Sequence, residues 1–464
     1  MKPISNAGFL KERIGELGEI LKNPKEILRY RLLKHTSVLL SGDAGARVIS
    51  LVSLTLTIRA IGPELFGVLA IAETYAKLVD RIFNFQAWTG IIRFGAEALH
   101  NKNKKALRRY ILVGFSLDLL SSFVGFIVAF FLAPFVAGFF KWDEAILNAI
   151  KFYSFLALFN FTGTATGILR LTERFSLLAW QRIFYACLKL GAVTLVWLFN
   201  GDFHHFLFVW LVSEILGYMF IVLSSLAIVF RKKWLRIEDS SDVSRFEAPL
   251  KPFIVFVVWT NLSSTLDIPT KFLDMFIVSS LVSVEAAGVY KVFQQIGHVL
   301  KKPMEPLYQV IYPYFSNDVA RGLHQVAIVN ALRSLIFTIP VIGVILAVSV
   351  GLSPWWLPAI FGKKFAEVIP EFAVYMIITG LAVVLNNINP LFVALGFVRE
   401  NFFIQAVSNS LFLILAWLAA GVWDLRGVFI AYGVHIVVSY FAKIVLIGKH
   451  YGWRSLVGHS GKEE

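Results

Sequence analysis

Glu73, Lys77, Asp80, Arg81, Asn84 and Trp88 project within a stripe about 100° wide at 3.6 residues per turn. They stand in an apolar run long enough to cross a bilayer. A charged side chain there costs a few kcal/mol on insertion scales, so it faces a wet cavity or another charge rather than lipid. A second stripe, Gln294, His298, Lys301, Lys302, Glu305 and Gln309, repeats the first at a shift of 221 positions. A further apolar run places Ser263, Ser264, Asp267, Thr270, Lys271 and Asp274 on one face, and Pro269 removes a backbone donor inside it. Arg47 and Arg59 lie in the run that precedes Glu73.

These segments hold seven basic residues, Arg47, Arg59, Lys77, Arg81, Lys271, Lys301 and Lys302, and five acids, Glu73, Asp80, Asp267, Asp274 and Glu305. Guanidinium and ammonium groups suit phosphate oxygens by charge and donor geometry. The seven are therefore candidate ligands for an anionic headgroup such as a diphosphate, with Arg81, Lys271, Lys301 and Lys302 placed nearest mid-membrane. The acids are candidates to take up a proton or Na⁺ and so couple transport to an ion gradient. The competing reading is structural: Glu73 with Lys77, Asp267 with Lys271 and Lys271 with Asp274 are three or four residues apart and can pair along a helix. A bundle built only for support is made more cheaply from apolar and small residues.

Other residues point to less chemistry. His298 shares the second stripe and is a further cavity candidate, whereas His204 and His205 read as a solvated loop pair. Cys187, the one cysteine, excludes an intrachain disulfide and a cysteine-based metal site and reads as packing. Trp142, Trp355, Trp356 and Trp453 fall near the ends of apolar runs, as interfacial aromatic belts do. No metal site or cofactor is expected. The chain has no Gly-rich phosphate loop, no Gly-x-Ser-x-Gly elbow and no HExxH, so nucleotide-driven transport and hydrolysis lack support.

The elements that must position these residues follow from composition. A chain of 464 residues that is 57% hydrophobic and 16% charged has more apolar surface than a soluble core of that size hides. Windows of about 20 residues, the length that crosses roughly 30 Å of hydrocarbon, give twelve spans. They cover about 38–61, 68–92, 110–135, 146–169, 177–199, 207–230, 253–282, 288–315, 329–352, 369–393, 402–420 and 428–448. With the amino terminus inside, the inner segments hold 26 Lys and Arg and the outer loops four, Lys141, Lys363, Lys364 and Arg426. The positive-inside rule then puts both termini in the cytoplasm. The net charge of +14 accordingly sits in membrane loops, not in a basic domain with interleaved aromatics, and nucleic acid is not an expected partner.

The expected organisation is a leader over 1–37 whose apolar and charged residues suit interfacial helices, a six-span lobe over 38–230, a cytoplasmic linker over 231–252, a second lobe over 253–448 and a tail over 449–464. Glu64, Gly67 and Val68 fall on Glu285, Gly288 and Val289 at the shift of 221. A parallel repeat of this kind, two like bundles about an axis along the membrane normal, leaves a central cavity between them. The fold class is thus an all-α polytopic membrane protein of about twelve transmembrane helices in two six-helix lobes.

The stretch Arg59-Ala-Ile-Gly-Pro-Glu-Leu-Phe-Gly67 resembles the R-x-L-G-P-E-x-F-G signature of the Wzx-type polysaccharide-transport flippases, with Ile61 in place of leucine. Asp274 through Glu285-Ala-Ala-Gly-Val-Tyr290 is similar to that family's acid followed by a glycine and tyrosine at the next span. The likeness in span layout runs from about residue 38 to the end. It implies the fold of the multidrug, oligosaccharidyl-lipid and polysaccharide exporters, with a cavity lined by spans one, two, seven and eight. It also implies flipping of polyprenyl-diphosphate-linked sugar repeat units from the inner to the outer leaflet of a bacterial inner membrane, for use by a polymerase or ligase in cell-surface polysaccharide such as O-antigen. A drug or metabolite antiporter would share that fold. An integral glycosyltransferase or polymerase would need a large catalytic outer loop, and the longest here runs only from about Ser353 to Val368.

Overall fold

The computed structural model describes residues 24–85, 87–235, 250–264, 268–301 and 304–452. Among them every regular element is a helix, and seven helical stretches are long and apolar enough to cross a bilayer, or eight if one bent pair counts as a span. The leader residues 1–23 and most of the linker lie outside the described residues. The remainder of the leader, residues 24–37, belongs to helix α1, Pro24–Phe83, which continues into the first span.

Sixty residues of helix at 1.5 Å each reach about three times the hydrocarbon thickness. Helix α1 therefore holds two spans, and it breaks at Gly62, whose φ of 78° and ψ of 166° lie outside the range an L side chain favours. Pro63 follows and can start a helix but not continue one. The expected pair of spans is present, joined by one non-helical residue instead of a loop.

The helices α2, Ala87–His100; α3, Lys104–Phe139; α4, Glu144–Tyr153; α5, Phe155–Phe159; α6, Gly163–Leu171; α7, Phe175–Leu198; and α8, Phe203–Arg231 complete the first half. The expected continuous span 68–92 is interrupted at Asn84 and Phe85, so Arg81 lies in the last turn of one helix and Trp88 in the first turn of the next. The expected span 146–169 is bent by about 40° between α5 and α6. No side chain of Thr162 caps α6; the buried Asp118 on α3 instead accepts the Thr164 N–H at 2.5 Å. A carboxylate supplied from another helix thus satisfies an orphan donor at the bend.

In the second half α9, Leu250–Ser264, is followed by a π-helical turn, Pro269–Leu273, and α10, Asp274–Leu281. The π-helical turn begins at Pro269, the residue that lacks a backbone donor. Helices α11, Val284–Lys301, and α12, Glu305–Ala320, replace the expected continuous span 288–315. Then come α13, His324–Gly351; α14, Ser353–Phe361; α15, Ile369–Leu385; α16, Ile388–Ala394; and α17, Val398–Tyr451. Helix α17, 54 residues long, breaks at Trp423 and Asp424 and so carries the last two expected spans.

One apolar core joins the halves, bringing Phe66, Leu69 and Tyr75 of α1 together with Phe276, Val292 and Phe293. Helix α9 packs the other way. Its Phe253 and Val257 are buried with Ile91, Phe94, Tyr110 and Val229 of the first half. Cys187 is exposed, on the outward face of α7, so its expected packing role is not what the fold gives it. Trp142 departs from the expected belt in the opposite sense. It is 9% exposed, donates from Nε1 to Ser279 Oγ at 3.0 Å and stacks edge-on to Phe276, tying α10 to the first half.

Candidate functional site between the halves

The halves meet along α1 and α11. A Cβ built on Gly67 would lie 2.0 Å from the carbonyl oxygen of Val284, and one on Gly288 would lie 2.1 Å from the carbonyl oxygen of Pro63. Both partner pairs are related by the same shift of 221 positions, so the contact is reciprocal and lies on the axis of the repeat. Only glycine permits backbones to come this close. Arg59 reinforces the same end by donating to the carbonyls of Ala359 and Ile360 at the end of α14, and Lys364 pairs with Glu285 at 2.8 Å. Lys364 lies outside the spans, and that hydrogen bond holds its ammonium above its ordinary pKa.

A second closure lies toward the opposite end of α1. A Cβ on Gly90 would meet Phe253 and Val257 side-chain atoms at 2.7 Å, and Asn261 Nδ2 donates to the Asn84 carbonyl where α1 has ended. Phe94 packs edge-on to Phe253 at 5.7 Å between centroids. Asp80 organises this end from the first half: it accepts from Asn160 Nδ2 at 2.7 Å and from Asn84 Nδ2 at 3.2 Å.

Between the closures sits a buried charge network. Lys77 bridges Glu73 at 2.6 Å and Glu214 of α8 at 2.5 Å, while Lys291 of α11 reaches the other Glu73 oxygen at 2.9 Å. Tyr153 donates to Glu214 at 3.0 Å. Lys189 of α7 lies 2.9 Å from the Trp210 ring centre, a close cation–π contact, and donates to Tyr185 at 3.3 Å. Glu73 is six residues from Gly67, about 9 Å along the helix. Three lysines face two glutamates in this cluster, and the Glu73–Lys291 pair links the halves across it.

Of the residues singled out in the sequence, Glu73 and Lys77 therefore stand at the centre, paired as their spacing predicts. Asp274 is buried one layer away, accepting from Tyr290 at 2.6 Å, Gln294 at 3.0 Å and the Met275 N–H at 2.8 Å. Arg47 is 3.4 Å from Asp43, which Arg182 also meets at 2.8 Å. Arg59 is exposed at the Gly62 end, away from the network. Arg81 is half-buried near the end of α1, Lys271 is exposed in the π-helical turn, and Lys301 is the last residue of α11. Lys302 and Asp267 lie outside the described residues, as does the side chain of Glu305. Asp202 caps the start of α8 by accepting from the His205 N–H at 3.2 Å and also lies 2.7 Å from the His205 ring, and no group of three metal-ligating side chains occurs among the described residues.

Lys189, Glu214 and Lys291 were not legible as a stripe. Glu214 is the lone charge in an otherwise apolar span, a signal that marks an intramembrane functional residue, whereas Lys189 shares its span with Arg182 and Lys291 shares its span with Lys301 and Lys302. Lys291 even shares the face of Gln294, one turn earlier.

Comparison with known proteins places this geometry. Residues 32–318 match the polysaccharide biosynthesis protein family. Over 287 residues the chain is 26% identical to inner membrane protein YghQ of Escherichia coli strain K12, covering 61% of this chain and 79% of that relative. Its fold is similar to that of the lipid II flippase MurJ in an inward closed conformation, with a TM-score of 0.67 at 16% identity over 89% of each chain. It is also similar to a multidrug resistance MATE family transporter in an inward-facing conformation, with a TM-score of 0.61 at 13% identity over 91% of this chain and 96% of the other. The chain is a member of the polysaccharide biosynthesis protein family, a multi-pass membrane protein whose fold is similar to that of these two solved structures.

Proposed function

We propose that this protein flips a polyprenyl-diphosphate-linked oligosaccharide from the cytoplasmic to the outer leaflet of a bacterial inner membrane, with both termini cytoplasmic and the Gly62 end outward. The observation that carries this reading is the buried, cation-rich network around Glu73 and Lys291, held between two closures. A diphosphate entering there offers oxygens that replace the carboxylates as partners of Lys77, Lys189 and Lys291. Two lobes, over 38–230 and 253–448, rock about the network in alternating access, and the lipid tail stays in the bilayer between them.

Release of the lysines to the diphosphate leaves buried carboxylates needing a proton or Na⁺, so Glu73 joins Asp80, Asp267, Asp274 and Glu305 as a candidate for ion coupling. Arg47, Arg81, Lys271, Lys301 and Lys302 are proposed to steer the headgroup in from the inner leaflet. The delivered repeat unit goes to a polymerase or ligase.

The test is flipping of a labelled polyprenyl-diphosphate oligosaccharide in proteoliposomes, with proton and sodium gradients collapsed separately. Wild type is expected to flip it, Lys291→Ala to lose about tenfold or more by removing the cation through which the second half reaches the network, and Lys301→Ala with Lys302→Ala to slow entry. No flipping by the wild type rejects this substrate class and leaves small-molecule antiport as the reading to test.

A further inference from the structure

The second half holds a hollow of about 750 Å³ that the central network does not use. Val282, Glu371, Trp423, Asp424, Arg426 and Ile430 are among its walls. Val282 stands two residues before Val284, whose carbonyl packs on Gly67, so the hollow adjoins the Gly62 end of the contact between the halves.

Its walls are unusual for a lipid-facing surface. Trp423 leaves the helical range, and Asp424 takes a φ of 49° with a ψ of −136°, a conformation that favours glycine. Neither glycine nor proline occupies those two positions, so surrounding structure holds the break, as it does at ligand-binding positions that store strain. Arg426 donates from Nε at 2.8 Å and from its terminal nitrogen at 2.7 Å to one Glu371 oxygen, Oε1. The other, Oε2, is buried with no hydrogen-bond partner among the described residues. Trp423 is 57% exposed and the Arg426 side chain 55% exposed.

A broad indole face beside two carboxylates and a guanidinium is the set of groups a pyranose ring uses. Its C–H face stacks on the indole, and its hydroxyls donate to carboxylates and accept from the guanidinium. Two acids against one base disfavour a phosphate, and the charged wall disfavours an acyl chain. We infer that this hollow is a glycan-binding site that holds the sugar portion of the transported molecule beside the Gly62 end. The inference rests on the flippase reading for the origin of the sugar, but the binding itself is testable without it.

The experiment presents the purified full chain in nanodiscs to an array of lipid-free bacterial repeat-unit oligosaccharides. Wild type is expected to bind at least one. Trp423→Ala is expected to weaken that binding about tenfold by removing the stacking face, Trp423→Phe to retain most of it, and Asp424→Gly to weaken it severalfold while raising the melting temperature. Absence of binding to every glycan overturns the inference, as does binding that Trp423→Ala leaves unchanged. Flipping in proteoliposomes by a wild type that binds no free glycan removes this inference alone. Binding that depends on Trp423 in a protein that does not flip supports it and removes the flippase reading.

Discussion

The two ends of the contact between the halves are closed by different means. At the Gly62 end backbone meets backbone, Gly67 on the Val284 carbonyl and Gly288 on the Pro63 carbonyl. Toward the other end side chains fill the gap, with Phe253 and Val257 over Gly90 and Asn261 bonded to the Asn84 carbonyl. Side chains adjust by changing rotamer, whereas two abutting backbones have no such freedom and separate only when whole helices move. The Phe253 closure can therefore follow small motions, while the Gly62 closure is either made or broken.

Substitutions should separate these behaviours. The largest effect is expected from Gly288→Val, which adds atoms where Cβ alone already lies 2.1 Å from a carbonyl oxygen. Flipping should fall roughly tenfold or more as the inward-open population empties or the closure fails to form. Spin-label distances across Pro63 and Val284 should widen with it. An unchanged distance together with unchanged flipping would show that the closure is not rigid.

Phe253→Ala should act differently. Emptying a fully buried phenylalanine site costs about 3–5 kcal/mol in well-packed cores, so the melting temperature in detergent should drop while the Pro63–Val284 distance stays as in wild type. A widened distance there would mean that the two closures are one mechanical unit. The smallest effect is expected from Asn261→Ala, which removes its side-chain hydrogen bond to the Asn84 carbonyl, a contact of the kind worth about 1 kcal/mol. Its melting temperature should fall slightly, with flipping within about twofold of wild type. A loss as large as that of Gly288→Val would reverse the ranking of the ends.

Much of this arrangement was legible before any coordinates. Three identities at a shift of 221 picked out Gly67 and Gly288, and the fold puts those residues against each other's neighbours. Pro269 marked the start of the π-helical turn. Glu73 and Lys77 were legible because their pairing is local, four residues along one helix. Lys189, Glu214 and Lys291 come from three different helices, and helical periodicity cannot report convergence across a bundle. The break at Asn84 and Phe85 contains no proline or glycine; the hydrogen bonds that accompany it from Asn160 to Asp80 and from Asn84 to the Asn160 carbonyl are tertiary. Trp142 misled because its position near a span end suits an interfacial belt, while its partner, Ser279, lies 137 residues away.

The reciprocal glycine contact also separates what the halves share from what they do not. Nothing in it distinguishes one half from the other, so a symmetric pair of like halves could form it unaltered. The Glu73–Lys291 bridge could not form between two copies of the first half, because the position matching Lys291 there is Ala70, and the position matching Glu73 in the second half is Gln294. The seam belongs to the repeated plan, and the charge that crosses it belongs to the difference between the halves.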